Sequence, residues 1–210
     1  GAKDFQKRHR PLVDALSKYE REQLPAKAKA WLATLKPNPD EAKPTVWHIL
    51  RFQHAGSEGG ATLTLQEDGS LLAGGTNPKN DRYTFVAKTN LKGISSVRLE
   101  ALAHKSFAKG GPGRAGNGNF ALSAFKLTAA PANGDGKAVE VKLTNARATF
   151  QQNQAALSVA GSIDNDPVSG WAVDPQFGKD HAAAFTLATP IGFDGGSILT
   201  FTMHFNNNTN

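Results

Sequence analysis

The sequence predicts a mainly β fold, an antiparallel β-sandwich of the jelly-roll type that follows an N-terminal helical arm. Short segments of alternating apolar and polar residues follow one another after residue 44, and this alternation is typical of half-buried strands. Turns rich in Gly, Asn and Asp separate these segments without intervening helical patterns, as in folds built from antiparallel sheets. The predicted strands are residues 45–52, 61–66, 71–73, 83–88, 95–102, 120–129, 138–143, 146–151, 182–187 and 198–205.

The predicted arm, residues 4–36, has the apolar spacing of an amphipathic helix. One apolar face consists of Phe5, Leu12, Leu16 and Tyr19. A second face consists of Leu24, Ala28, Trp31, Leu32 and Leu35. Because proline is tolerated in the first turn of a helix, Pro25 marks either the start of a second helix or a kink. We expect the arm to pack on the following domain or on a neighbouring one.

The domain organisation follows from this change of pattern. Residues 1–36 form the helical arm, residues 37–44 are a linker with three prolines, and residues 45–210 form the β module. A chain of 210 residues is long enough to bury a hydrophobic core. No apolar run approaches the ~20 residues of a membrane-spanning helix, so we expect no membrane span.

Charge and cysteine content narrow the function. The net charge is +6, and ten of the 24 Lys and Arg residues lie in residues 1–43, interspersed with six acidic residues. Nowhere do clustered cations alternate with aromatic residues, so we expect no nucleic-acid partner. The chain has no cysteine, which excludes thiolate metal sites, a cysteine nucleophile and haem attachment through Cys-x-x-Cys-His. We therefore expect no haem in this chain.

A glycine-rich loop, residues 110–119, separates two of the predicted strands, and five of its ten residues are glycine. It contains Gly-x-Gly-x-x-Gly at residues 111–116, but a strand pattern follows instead of the helix that would bind a pyrophosphate. We therefore reject a nucleotide site. Arg114, Asn117 and Asn119 either bind a ligand from this loop or satisfy its carbonyl groups.

A second loop, residues 162–171, is rich in oxygen ligands. Asp164 and Asp166, with Asn165 and Ser169, could bind Ca²⁺, although their spacing differs from that of an EF-hand. The alternative is an Asx turn, in which the carboxylates accept hydrogen bonds from their own backbone. We favour the turn over the metal, and one loop can serve both purposes.

Two aromatic residues next to this loop are further candidates. Trp171 either fills the core or, if exposed, offers a platform for a sugar ring. His181, next to Asp180, either orients a ligand or caps a strand. The sequence has no Gly-x-Ser-x-Gly and no His-Glu-x-x-His motif, and it shows no identifiable pair of catalytic acids. We therefore expect that the protein is not an enzyme.

Several motifs in the same order resemble one region of large exported proteins of planctomycete bacteria, which combine cytochrome-c-like and planctomycete-specific domains. These motifs are Asp68-Gly-Ser, Arg98-Leu-Glu-Ala-Leu102, Gly111-Pro-Gly-Arg114 with Gly118-Asn-Phe120, Ile163-Asp with Gly170-Trp-Ala-Val-Asp-Pro175, and Phe177-Gly with His181-Ala-Ala. The resemblance implies export to the periplasm, the cell surface or the medium, and neighbouring domains as partners. It implies no particular activity.

A looser resemblance concerns the discoidin, or factor 5/8 type C, modules, which are galactose-binding-like jelly rolls. Their Asp-Gly-x-x-x-Thr-x-Trp loop is similar to Asp164-Asn-Asp-Pro-Val-Ser-Gly-Trp171. It implies structural calcium at Asp164 and Asp166 and glycan binding at end loops. The function we favour from sequence is a non-catalytic carbohydrate-binding module, with Trp171 stacking on a sugar. The residues expected to assist it are Arg114, Asn117, Asn119 and His181. The alternative is a structural module that docks neighbouring domains of a large exported enzyme or redox protein.

Overall fold

The computed structural model of the chain describes residues 2–34 and 45–206. The chain divides into two compact units, Gly1–His48 and Ile49–Asn210, and each is described by itself. The predicted linker, residues 37–44, lies outside the described residues, as does Leu35 of the predicted arm.

The first unit contains two helices, α1 (Ala2–Glu22) and α2 (Leu24–Thr34). Gln23 N donates to the Tyr19 carbonyl oxygen at 2.9 Å, and Lys27 N donates to the Gln23 carbonyl oxygen at 3.0 Å. These bonds continue the helical pattern across the junction. Pro25 lies in the first turn of α2, where its missing N–H costs little. Of the two alternatives that the sequence left open, two helices or one kinked helix, the structure has two helices. Neither described helix has both the length and the apolar character needed to cross a membrane.

The second unit contains the ten strands found in the described residues, and the prediction of a mainly β fold with antiparallel sheets is confirmed. The strands are β1 (Phe52–Ser57), β2 (Ala61–Leu65), β3 (Leu71–Gly75), β4 (Asp81–Thr89), β5 (Ile94–Ala101), β6 (Ala124–Pro131), β7 (Val139–Val141), β8 (Leu143–Ala148), β9 (His181–Ile191) and β10 (Ser197–Phe205). They form a five-stranded sheet in the order β1-β4-β10-β6-β7, a three-stranded sheet in the order β5-β9-β8, and a β2–β3 hairpin. Every strand pairing is antiparallel.

One hydrophobic core joins the five-stranded sheet to the three-stranded sheet. Phe125 of β6 packs on Phe185 of β9 with ring centroids 4.9 Å apart. On its own sheet, Phe125 also stacks on Phe201 of β10 at 6.0 Å. Fully burying one such side chain contributes about 1.5–3 kcal/mol, so this shared core is the main source of stability of the β unit.

The predicted strand at residues 45–52 is wrong except for its last residue. Residues 45–51 form no regular structure, and β1 begins at Phe52. Val46 and Ile49 are exposed in this segment. The run of apolar residues resembles a strand, but none of the described strands pairs with it.

Three other predicted strands, residues 120–129, 138–143 and 146–151, have different bounds in the structure. The predicted strand 120–129 begins only at Ala124, because Leu122 instead forms an isolated bridge with Trp171. The predicted strands 138–143 and 146–151 are β7 and β8, which lie closer together. Asn145, in β8, has φ of +48°, and the register of β8 on β9 shifts between Thr144 and Arg147, as expected of a bulge.

Candidate functional site

The two loops singled out from the sequence lie side by side. Leu122, just after the glycine-rich loop, exchanges two backbone hydrogen bonds of 2.9 Å with Trp171. Gly178 N donates to the Gly111 carbonyl oxygen at 2.7 Å. The glycine-rich loop is therefore fastened at two points to the segment that contains the second loop and its flanking residues.

Trp171 is fully buried, with 0% of its surface exposed. Its indole Nε1 donates to the Phe150 carbonyl oxygen at 2.9 Å. Phe120 packs edge-on against the ring, with centroids 5.0 Å apart. The prediction that Trp171 stacks on a sugar is wrong, because neither face of the ring is accessible. The alternative, that Trp171 fills the core, is the one the structure supports.

Asn119 and His181 are buried too. Asn119 Nδ2 donates to Gln152 Oε1 at 3.0 Å, and Asn119 Oδ1 accepts from Val173 N at 2.9 Å. His181 Nε2 lies 2.8 Å from the Gln176 carbonyl oxygen, which can only accept, so this nitrogen carries a proton. Both side chains form hydrogen bonds within the protein. The prediction that Asn119 and His181 bind a ligand is therefore wrong.

Arg114 is half-buried and holds the glycine-rich loop in place. Its Nη2 donates to the Gly75 carbonyl oxygen at 2.8 Å, and Asn77 Nδ2 donates to the Arg114 carbonyl oxygen at 2.8 Å. A longer bond of 3.4 Å runs from Nη1 to Tyr83 Oη. Burial raises the pKa of Tyr83, and the neighbouring guanidinium partly opposes this shift. Arg114 thus ties the loop to the ends of β3 and β4.

Asn117 has a local role in the same loop. Its Oδ1 accepts a hydrogen bond from Asn119 N at 2.9 Å, which is the geometry of an Asx turn. The side chain remains partly exposed. Arg114 and Asn117 are therefore the two predicted glycan-binding residues that retain access to solvent.

The loop at residues 164–169 forms two overlapping Asx turns. Asp164 Oδ1 accepts from Asp166 N at 2.8 Å, and Asp166 Oδ1 accepts from Val168 N at 3.0 Å. The buried Ser169 hydroxyl lies 2.8 and 2.9 Å from the two carboxylate oxygens of Asp164. The Asx-turn alternative is confirmed. Among residues 2–34 and 45–206, no three His, Asp or Glu side chains come together in a metal-binding group, and calcium at this loop stays a prediction.

A surface that the sequence did not reveal is the outward side of the five-stranded sheet, which we call the outer face. Its floor is rich in hydroxyl groups. The strand register places Thr84 of β4 opposite Thr202 of β10, and Thr200 of β10 opposite Thr128 of β6. The alternate residues of these three strands are buried in the core. Since side chains alternate along a strand, the four threonines and Val86 point outwards.

Several basic side chains lie beside this floor. Arg82, Lys88 and Lys126 lie at outward positions of β4 and β6, with His204 between Arg82 and Ala124 in the register. Burial lowers the pKa of His204 below its ordinary value, and the positive charges of Arg82 and Lys126 lower it further. Glu58, which pairs with Arg82, acts in the opposite direction. The outward residues of each strand were visible in the sequence, but their adjacency depends on the strand order.

The lowered pKa of His204 predicts a pH-dependent stability. As pH falls through about 6.5, the unfolded chain takes up a proton at this residue before the folded chain does. The resulting loss of unfolding free energy is absent above this pH and complete below the folded pKa. Urea unfolding between about pH 5 and pH 8 should show a shallower pH dependence for His204→Gln than for the native chain. A difference between the two proteins that stays constant across this range would contradict the prediction.

The sequence matches no family model, and neither a curated protein nor a solved structure shows significant similarity to it.

Proposed function

We propose that the chain is a non-catalytic interaction module of a larger exported protein, in which the helical arm contacts a neighbouring domain. The observation that carries this proposal is the exposure of large apolar side chains on both helices. Leu12 is 69% exposed and Trp31 is 62% exposed. The other exposed apolar residues of the arm include Phe5, Val13, Leu16, Tyr19, Leu24 and Leu32.

The spacing of these residues favours a protein partner over bare solvent. On α1, Phe5, Leu12 and Leu16 share one side of the helix at intervals of seven and four residues. A helix of this kind obtains most of its stability by packing its apolar face. Burying each large side chain contributes about 1.5–3 kcal/mol. Burial of these three residues alone would therefore stabilise a contact between the arm and another domain.

The β unit supplies the body of the proposed module. We propose that its five-stranded and three-stranded sheets form a jelly-roll β-sandwich of the galactose-binding-like type. The shared core and the Phe125–Phe185 contact support this arrangement. Export and neighbouring domains are proposed because of the resemblance to the exported planctomycete proteins. Calcium at Asp164 and Asp166 is proposed because of the resemblance to the discoidin modules.

Hydrogen exchange tests the role of the arm. In the longer protein, the amides of α1 should exchange more slowly than in the 210-residue chain alone. Leu16→Glu should remove this protection and raise the exchange rate about tenfold or more, because a charge replaces a leucine that the proposed contact would bury. Lys18→Glu, a larger change of charge on the same helix, is the matched control and should leave the protection unchanged.

Two results would overturn the proposal. One is equal exchange of α1 in the long and short proteins. The other is limited proteolysis that releases the chain intact and freely mobile from the longer protein, since a docked module would resist release.

Glycan binding at the end loops is a second candidate, with fewer residues than the sequence indicated. Arg114 and Asn117 remain partly exposed on a loop that several hydrogen bonds hold in shape. Such a rigid loop is a common place for binding groups. A glycan array on the native chain and on Asn117→Ala tests this candidate, and unchanged binding in the variant would remove it.

A further inference from the structure

We propose that the outer face of the five-stranded sheet binds an acidic polysaccharide, a chain of sugar rings that carry carboxylate or sulfate groups. The outer face is a different surface from both the helical arm and the end loops.

The floor of the outer face matches the hydroxyl groups of a sugar chain. Thr84 and Thr202 form one cross-strand pair, and Thr200 and Thr128 form another. Adjacent strands are about 4.8 Å apart, and alternate residues of one strand are about 7 Å apart. The four hydroxyls therefore lie in two adjacent rows across the sheet, one on β4 and β10 and the other on β10 and β6. Each hydroxyl both donates and accepts hydrogen bonds, which is what recognition of sugar hydroxyls requires.

The charges around the floor match acidic groups. Lys88 and Lys126 are exposed, and neither has an ion-pair partner among the described residues. Arg82 forms an ion pair with Glu58. Within residues 2–34 and 45–206, Glu140 is the one acidic residue whose strand position pairs it with the floor, opposite Thr128. Both lysines thus remain available to carboxylates or sulfates. Charge complementarity of this kind speeds association and selects the partner.

The same observations favour a polysaccharide over a nucleic acid. The outward residues of the three central strands are Thr, Val, Ile, Ala, His, Lys and Arg. None is Phe, Tyr or Trp, the side chains on which single-stranded bases stack. A hydroxyl floor with widely spaced cations fits sugar rings with widely spaced acidic groups.

Isothermal calorimetry with the full 210-residue chain tests the proposal against four probes. These are polygalacturonate for carboxylates, dextran sulfate for sulfates, unmodified dextran, and a single-stranded DNA oligonucleotide. We expect binding to polygalacturonate, to dextran sulfate or to both. The polymer that binds with the higher affinity shows whether the site prefers carboxylates or sulfates. Affinity should fall as salt is raised, because exposed charges are screened.

Charge reversal locates the site. Lys88→Glu with Lys126→Glu should weaken binding about tenfold or more, since each reversal replaces an attraction by a repulsion. Lys105→Glu with Lys137→Glu changes net charge equally at exposed positions elsewhere, and should alter affinity less than about twofold. Thr200→Val with Thr202→Val, which removes two hydroxyls at nearly constant volume, should also weaken binding. Urea unfolding checks that each variant is folded. If Lys88→Glu with Lys126→Glu does not fold, Lys88→Gln with Lys126→Gln replaces it.

Four outcomes would overturn the proposal. They are no binding to either acidic polymer, equal binding to unmodified dextran, tighter binding to DNA than to both acidic polymers, and equal losses in the outer-face and control charge variants. The last outcome would indicate a general response to net charge.

Discussion

Trp171→Ala should lower the free energy of unfolding of the β unit by about 3–5 kcal/mol, the range measured for buried aromatic residues. The ring is fully buried, so its removal leaves a cavity. The substitution also leaves the Phe150 carbonyl oxygen without the indole N–H that donates to it, which adds a desolvation cost. Urea unfolding followed by far-ultraviolet circular dichroism measures the change.

Trp47→Ala is the matched control, because Trp47 is 44% exposed and lies outside the strands. Its effect should stay within about 0.5 kcal/mol, as for most surface positions. Equal losses for the two variants would show that Trp171 does not fill the core. A variant at Trp171 that folds normally but loses glycan binding would restore the sugar-platform hypothesis.

The elements of this fold were largely predictable because they depend on local pattern. The alternation in residues 83–88 and 198–205 reflects one buried and one outward side of a strand, and both became strands, β4 and β10. The apolar spacing around Leu12 and Leu16 correctly indicated a helix. In each of these segments, the spacing of the apolar residues indicates which side is buried.

Pairing partners were not predictable in this way. Residues 45–51 have apolar character like a strand, but a strand needs a neighbour to satisfy its backbone groups. The segment at Phe120 alternates like a strand as well, yet Leu122 pairs with Trp171 and regular pairing in β6 begins only at Ala124. Whether a neighbour is present depends on residues far away in the chain.

The candidate site was predicted less well than the fold, for a related reason. Trp, Asn and His are equally suited to bind a ligand and to satisfy a buried polar network. Asn119 forms hydrogen bonds with Gln152 and Val173, which lie 33 and 54 residues away in the chain. Since local sequence cannot show such partners, the residue types alone suggested a ligand. The outer face was missed because β10 lies between β4 and β6, an order that no local pattern encodes.

Gly113→Ala should be among the most destabilising small substitutions in the chain. A Cβ at this position would lie 1.8 Å from the Asn119 carbonyl oxygen and 2.5 Å from Phe120 N. Both are backbone atoms, so no side chain can rotate away. That carbonyl oxygen also accepts a hydrogen bond from Ala115 N at 3.2 Å. The loop must therefore open, and we expect a loss of about 3 kcal/mol or more, at the upper end for overpacked sites.

Gly116→Ala is the matched control in the same loop, because a Cβ there would meet no atom within 4 Å. Replacing this glycine lowers the conformational entropy of the unfolded chain. The free energy of unfolding should therefore stay unchanged or rise by about 0.4–1 kcal/mol. Urea unfolding of both variants therefore separates the steric effect from the effect of glycine content. If both variants lose stability equally, the loop needs flexible glycine throughout and close packing at Gly113 is not its basis. If only Gly113→Ala is destabilised, the loop is rigid and packs closely on its own backbone at Asn119 and Phe120. The atoms of this backbone occupy the space that a side chain at Gly113 would need.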